Sequence, residues 1–256
     1  MKRALLASLG VALLLSANSA LAKFTPTAQE KCDFARVTAW KVYTSCVDVV
    51  VAKDAKGVSF DEFAAFAKCR HAYFKKWTAF QGKAAYAGTS CDQTVPSIGG
   101  RFKDNMDGTV TDNLSGLVWE KKTNDASVHD EGNFYTWSTG TNNEDGTAFT
   151  TFLTAGLNTP GFAGANGWLP TLVELQTSLR DFTCTGAGGG ATCTCGSSPC
   201  IDATFGPTQS FSYWSATSYV PNPSFAWVVG FGDGSVLGNF HLKTDLVNVR
   251  AVRGGL

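Results

Sequence analysis

Three short runs of β-branched and aromatic residues near the C-terminus constrain the fold of this chain most strongly. They cover residues 213–218, 226–235 and 249–255, and each is short enough to form a single strand and its turn. The second run ends in Gly-Asp-Gly-Ser at 232–235, where glycine allows the backbone conformations that a tight turn requires. The pattern predicts antiparallel β-structure in this part of the chain.

Residues 1–22 have the composition of a secretory signal peptide. Lys2-Arg3 precedes an apolar segment from Ala4 to Leu15 and a small-residue cleavage motif at 20–22. A transmembrane anchor would need about 20 apolar residues, more than this run supplies. We therefore expect an exported chain without a membrane span, either periplasmic or secreted to the medium or cell surface.

Eight cysteines fit an oxidising compartment, where an even number predicts disulfides. They fall into two groups of four, so each part of the chain can pair internally. For the second group the alternative is a tetrahedral zinc site, although its spacing lacks the usual pair of C-x₂-C motifs. The predicted disulfide cysteines are Cys32, Cys46, Cys69, Cys91, Cys184, Cys193, Cys195 and Cys200.

The composition of the chain changes near Gly99. Residues 23–100 carry eleven Lys and Arg against seven Asp and Glu, a net charge of +4, whereas residues 101–256 carry eight against fourteen, a net charge of −6. This change predicts a hairpin domain at 23–98 and a second domain at 99–256. No Lys/Arg run suited to tracking phosphates exists, so nucleic acid is not an expected partner.

Apolar residues at helical spacing over 27–53 and 59–81 predict a helical hairpin. Ser59 and Glu62 have the spacing of a capping box that would start the second helix. The aromatic stripe of the second helix favours a core role, with a ligand groove or a dimer or inter-domain face as the alternative.

The hairpin geometry also predicts how its cysteines pair. Folding the chain back at residues 54–57 places Cys46 opposite Cys69 and leaves Cys32 near Cys91. A nested pairing, Cys46 with Cys69 and Cys32 with Cys91, therefore needs no distortion.

The second part opens with three predicted strands at 101–103, 109–111 and 117–119, separated by turn residues. The acidic cluster within them fails the spacing of an EF-hand, so turn chemistry is favoured and a non-standard calcium site is the alternative. The cluster consists of Asp104, Asn105, Asp107 and Asp112.

Two helices and a loop are predicted further on. One helix lies near 148–157, and a second starts at the capping box Thr171 to Glu174 and runs to about Leu179. The stretch 184–200 is too rich in glycine for a regular element and is predicted to be a surface loop held by disulfides.

Five motifs in order resemble the C-terminal domain family of the Legionella collagen-like adhesin over residues 101–255. The resemblance implies a C-type-lectin-like fold related to the formylglycine-generating enzymes, exported or surface-exposed, with glycosaminoglycan binding reported for the adhesin. No family resemblance reaches the hairpin. The motifs are Asp-Gly-Thr-Val-Thr-Asp-Asn-Leu-Ser-Gly-Leu-Val-Trp (107–119), Leu-Pro-Thr-Leu-Val-Glu-Leu (169–175), Tyr-Trp-Ser-Ala-Thr-Ser (213–218), Ala-Trp-Val-Val-Gly-Phe-Gly-Asp-Gly-Ser (226–235) and Val-Arg-Ala-Val-Arg-Gly-Gly (249–255).

Two positions depart from the family pattern. The family commonly has arginine before Leu-Pro-Thr, where this chain has Trp168, and cysteine between the closing Val-Arg repeats, where it has Ala251. Calcium-dependent lectins of this fold use an acid or amide before proline, which the segment Val220-Pro221-Asn222 lacks. Calcium-bridged sugar recognition is therefore not expected.

No constellation of residues predicts catalysis. His71, His129 and His241 are scattered, and His129 is expected in a solvated loop. Arg250 and Arg253 are predicted on opposite faces of one strand, so they form no anion-binding patch. A patch for sulfated glycans is available only on the hairpin, from Lys68, Arg70, Lys75 and Lys76.

The sequence thus predicts an α+β protein in which a disulfide-stapled helical hairpin precedes a C-type-lectin-like domain. We expect a non-enzymatic binding or adhesion protein with a glycan or protein partner, without cofactor, metal or catalytic residues. The alternatives are an oxidase-like relative of the formylglycine-generating enzymes and a structural envelope protein. Trp214 and Trp227 are expected in the core, and Tyr219, Asn222 and Asp233 are the predicted ligand-binding residues.

Overall fold

The computed structural model describes residues 25–81, 83–89, 91, 101–159, 162, 164–179, 183–185, 192–195 and 197–254. The predicted signal peptide (1–22) and the predicted boundary at 98/99 lie outside these residues. The described part is α+β, with helices and exclusively antiparallel strand pairs. No helix in it is both long and apolar enough to cross a membrane.

The helices are α1 (Ala28–Asp54), α2 (Glu62–Gln81) and α3 (Leu172–Thr177), with a π-helix at Ala148–Leu157 and 3₁₀ turns at Ala84–Tyr86 and Ala203–Phe205. The strands are β1 (Phe102–Asp104), β2 (Thr109–Asp112), β3 (Leu117–Glu120), β4 (Thr183–Thr185), β5 (Thr192–Thr194), β6 (Ser212–Ser218), β7 (Ala226–Gly230), β8 (Val236–Leu237) and β9 (Val252–Gly254).

The strands form three sheets. The first has the order β1-β2-β3-β9, so the final strand pairs beside the opening meander, with Val252 opposite Trp119. The second sheet, β6-β7-β8, contains the first two predicted C-terminal strands. The third is the short hairpin β4-β5, where Cys184 and Cys193 lie directly opposite each other. The expectation that residues 184–200 contain no regular element was therefore wrong.

Helix caps show where local sequence decides structure. The Thr171–Glu174 capping box forms as predicted, with the Thr171 hydroxyl accepting from the Glu174 N–H at 3.2 Å. The predicted Ser59–Glu62 box does not form. Helix α2 begins at Glu62, and the Asp61 carboxylate accepts from the Ala64 N–H at 2.9 Å. Asp61 lies closer to the first turn and takes the cap position.

Disulfides join Cys32 to Cys91 and Cys46 to Cys69, the nested pairing predicted from the helical geometry. A third joins Cys195 to Cys200. The first two cross-link α1 to the segment after α2 and to α2 itself.

The hairpin shares one hydrophobic core with the C-terminal part. The ring of Phe66 on α2 meets the edge of Trp227 on β7, with 5.7 Å between ring centroids, and both residues are buried. Trp77 on α2 is also fully buried, so Phe66 and Trp77 of the aromatic stripe are core residues. A second cluster packs Trp214, Phe152 and Trp137 on the other side of the β6-β7 sheet. Trp214 and Trp227 are therefore core residues, as predicted.

Candidate functional site

A cleft of about 760 Å³ opens on the surface at one end of the β6-β7-β8 sheet. Its walls are the start of β6, the Gly-Asp-Gly-Ser turn between β7 and β8, and the loop at 238–247. This volume lies within the usual range for small-ligand sites in proteins.

Four large apolar side chains form its rim and remain exposed: Phe134, Phe211, Phe240 and Leu246. The rings of Phe211 and Phe240 are 58% and 60% exposed. Backbone contacts hold the rim, because Phe231 N–H donates to the Phe211 carbonyl at 2.8 Å. The rim is a cluster of apolar surface, which commonly marks an interaction site.

The floor of the cleft is polar and centres on Asn248. This residue is 1% exposed, and its Nδ2 donates to the carbonyls of Glu131 at 3.0 Å and Asn133 at 3.1 Å. Its Oδ1 is buried and has no hydrogen-bond partner within the described part of the chain. This acceptor is therefore enclosed by neighbouring atoms of the protein.

The Gly-Asp-Gly-Ser turn has little freedom to change. Asp233 Oδ1 accepts from the Ser235 N–H at 2.8 Å, and Gly230 N–H donates to the Ser235 carbonyl at 2.8 Å. A Cβ atom on Gly232 would lie 2.9 Å from the Ser210 carbonyl oxygen. From the hairpin side, Arg70 Nη2 donates to the Gly234 carbonyl at 3.3 Å. The cleft wall is thus fixed from two sides.

Among the described residues that line the cleft, only Asp233 and His241 carry titratable side chains. His241 Nδ1 lies 3.4 Å from Asp245 Oδ2, and its ring packs edge-on to Trp214 and Phe240. Within the described lining, no hydrogen bond pairs a nucleophilic side chain with a base.

The three predicted ligand-binding residues occupy different environments. Asp233 lines the cleft, and Asn222 is exposed in a turn where its Oδ1 accepts from the Ser224 N–H at 3.2 Å. Tyr219 is 8% exposed and packs against Trp227 with 5.3 Å between ring centroids. Of the three predicted residues, only Tyr219 is buried.

Two acidic residues of the hairpin, Asp54 and Glu62, lie near Tyr219. The Tyr219 hydroxyl donates to Asp54 Oδ1 at 3.3 Å, and Asp54 lies beside Glu62. Burial, reinforced by the negative charge of Asp54, raises the pKa of Glu62 to about 7. This pair is a feature that the sequence pattern did not indicate.

The side chains of the acidic cluster at 104–112 accept hydrogen bonds within turns and form one ion pair. Asp104 Oδ2 accepts from Lys121 Nζ at 2.5 Å, and Asp107 Oδ1 accepts from the Thr109 N–H at 3.0 Å. Asp112 accepts from the Leu114 N–H at 2.9 Å. Across the described residues, no group of three or more His, Cys, Asp or Glu side chains is arranged to hold a metal ion.

A buried ionic cluster lies behind β3. Glu120 and Arg250 are fully buried, and Lys122 Nζ lies 3.0 Å from Glu120 Oε1. His129 Nδ1 lies 2.9 Å from the same oxygen, while its side chain, in the loop that follows β3, stays 35% exposed. Burial alone would raise the pKa of Glu120, but Lys122, His129, the Ala251 N–H and Arg250 together hold this pKa below its ordinary value.

The hairpin supplies less basic surface than predicted. Arg70 is 6% exposed, and its Nη1 donates to Gln176 Oε1 at 3.0 Å, so it does not belong to a surface patch. Lys68, Lys75 and Lys76 are exposed on the outer side of α2. Arg250, buried with Nη1 donating to the Glu120 carbonyl at 2.6 Å, is also absent from the surface.

The described part of the chain is a disulfide-bonded α+β protein with a cleft on its surface. Residues 108–253 match the family model of the Lcl C-terminal domain. The chain therefore belongs to the Lcl C-terminal domain family, as its five sequence motifs predicted. Searches of curated proteins and of solved structures returned no significant match.

Proposed function

We propose that this chain is an exported, non-enzymatic binding or adhesion protein whose C-terminal domain is a C-type-lectin-like module that recognises an extracellular glycan or protein. The observation that carries the proposal is the cleft, where four exposed apolar side chains surround a polar floor. Exposed clusters of apolar side chains at a cleft commonly mark interaction sites.

Export is supported by the covalent structure. Six described cysteines are joined in three disulfides, and such bonds persist in oxidising compartments. The composition of residues 1–22 agrees with this assignment. The mature protein would begin near Lys23.

Binding in place of catalysis is supported by the pairing of two cysteines in the C-terminal part. Formylglycine-generating relatives use redox-active cysteines, whereas Cys195 and Cys200 are bonded to each other. Thiol titration of the unreduced protein tests this point directly. A reactive free thiol that binds copper would favour the oxidase-like alternative.

The proposal is tested on an array of glycans and extracellular-matrix proteins, probed with and without calcium. The mature chain is compared with Phe211→Ser, which removes a rim ring, and with Phe34→Ser, which removes a 75% exposed phenyl ring on α1. We expect binding that Phe211→Ser abolishes and Phe34→Ser preserves. Silence on every surface would contradict the proposal and favour a structural role, and binding only with calcium would return Asp104, Asp107 and Asp233 as ligands.

A further inference from the structure

We infer that the cleft binds an uncharged saccharide, with Phe211 and Phe240 as stacking platforms and without a bridging cation. This inference rests on the proposed function and names its ligand class. A pyranose ring has apolar C–H faces and hydroxyls at its edges. The cleft has the complementary arrangement, because its rim is apolar and its floor is polar.

The rim supplies the stacking surfaces. Phe211 and Phe240 come from different walls of the cleft, and both rings are more than half exposed. The face of an aromatic ring is electron-rich and attracts polarised C–H groups, while its flat surface provides dispersion contacts. A sugar ring lying on either phenyl ring therefore gains more binding free energy than an irregular apolar chain of the same size.

The floor supplies polar groups beside the aromatic rim. Ser210 and Ser212 line the cleft and keep part of their surface exposed, so their hydroxyls can donate to or accept from sugar hydroxyls. Asn248 also lines the cleft, but its Oδ1 is enclosed by the protein, so the serine hydroxyls are the groups that a ligand reaches.

The charge of the cleft selects among saccharides. No Lys or Arg occurs among the described lining residues, and Asp233 places a carboxylate at the wall. Residues 101–256 carry eight Lys and Arg against fourteen Asp and Glu. Sulfated or carboxylated sugars would bring like charge to this surface, so an uncharged sugar is the class that fits.

The experiment is calorimetric titration of the mature chain with four neutral hexasaccharides (cello-, manno-, malto- and chitohexaose), a heparin hexasaccharide and the matrix proteins of the array. Phe240→Leu and Phe211→Leu keep apolar area but remove the flat ring. Phe34→Leu is the matched control on α1. Thermal melts confirm that each variant is folded.

We expect at least one neutral hexasaccharide to bind, and each rim variant to lower its affinity roughly fivefold to tenfold. The control variant and a chelator should leave the affinity unchanged. If no neutral hexasaccharide binds, but a matrix protein does and the rim variants weaken its affinity, the saccharide inference is wrong and the proposed function stands. Preference for the heparin hexasaccharide, or loss of binding with the chelator, would also overturn it. Rim variants without effect on any ligand would refute both.

Discussion

The buried carboxylate of Glu120 supplies the negative charge beside two buried cations, Lys122 and Arg250. Its replacement by glutamine tests this role. Glu120 Oε1 contacts Lys122 Nζ at 3.0 Å, and Oε2 accepts from the Ala251 N–H at 3.0 Å. Glutamine removes the negative charge and can accept with only one of its two terminal atoms. Lys122 and Arg250 would then remain buried without their counter-charge.

Removing one partner of a buried ion pair costs about 3–5 kcal/mol. For a protein of this size that cost corresponds to a fall in Tm of about 6–20 °C. Urea unfolding followed by tryptophan fluorescence, with disulfides intact, measures it. The double variant Glu120→Gln with Lys122→Met should lose about 1–3 kcal/mol less unfolding free energy than the sum of the losses in the two single variants.

The cost of Glu120→Gln should depend on pH. Because the pKa of Glu120 is lowered in the folded state, its stabilising effect is complete above its unfolded pKa of about 4.3 and is lost as pH falls through the folded value. The difference between wild type and variant should therefore shrink from pH 7 to pH 3. A cost below about 1 kcal/mol at pH 7, or one that is equal at both pH values, would refute this account.

Three further predictions concern the hairpin. Cys32→Ser opens a disulfide with a sequence separation of 59 and should lower the unfolding free energy by about 4 kcal/mol, measured by urea titration beside wild type. Phe66→Ala should cost about 3–5 kcal/mol and keep a single transition, whereas the exposed control Phe34→Ala should stay within about 0.5 kcal/mol. Because the pKa of Glu62 is raised in the folded state, ionisation of Glu62 beside Asp54 destabilises the fold as pH rises from about 4.3 to 7. Glu62→Gln removes this cost, so its unfolding free energy should exceed that of wild type by about 1 kcal/mol at pH 8 after solvent screening, and should equal it at pH 4. Thermal melts at both pH values measure this, and a gain at pH 4 would contradict it.

Local rules of sequence predicted the elements well where neighbouring residues decide them. The Thr171–Glu174 capping box, the strands around Trp119 and Trp214 and the nested disulfides depend on residues close in sequence or on one helical geometry. The segment 148–157 is helical as predicted but wound as a π-helix, with the Asn158 N–H donating to the Leu153 carbonyl. Periodicity does not distinguish these two windings.

Burial of polar side chains by distant segments was not predictable in the same way. Arg70 and Tyr219 have the sequence context of surface residues, and each is buried against a partner far along the chain. Of the cleft, only Asp233 was anticipated. Its rim joins Phe134 to Phe240, which are brought together by the fold and share no local motif.

The contact between Arg70 and the Gly234 carbonyl links the hairpin to the back of the cleft wall. A substitution in α2 can shift this turn without altering any residue that faces a ligand. Domains of one family that keep the same rim could therefore diverge in selectivity through the segment that precedes them. In such a lineage, changes in the hairpin would alter the cleft while its lining residues stay the same.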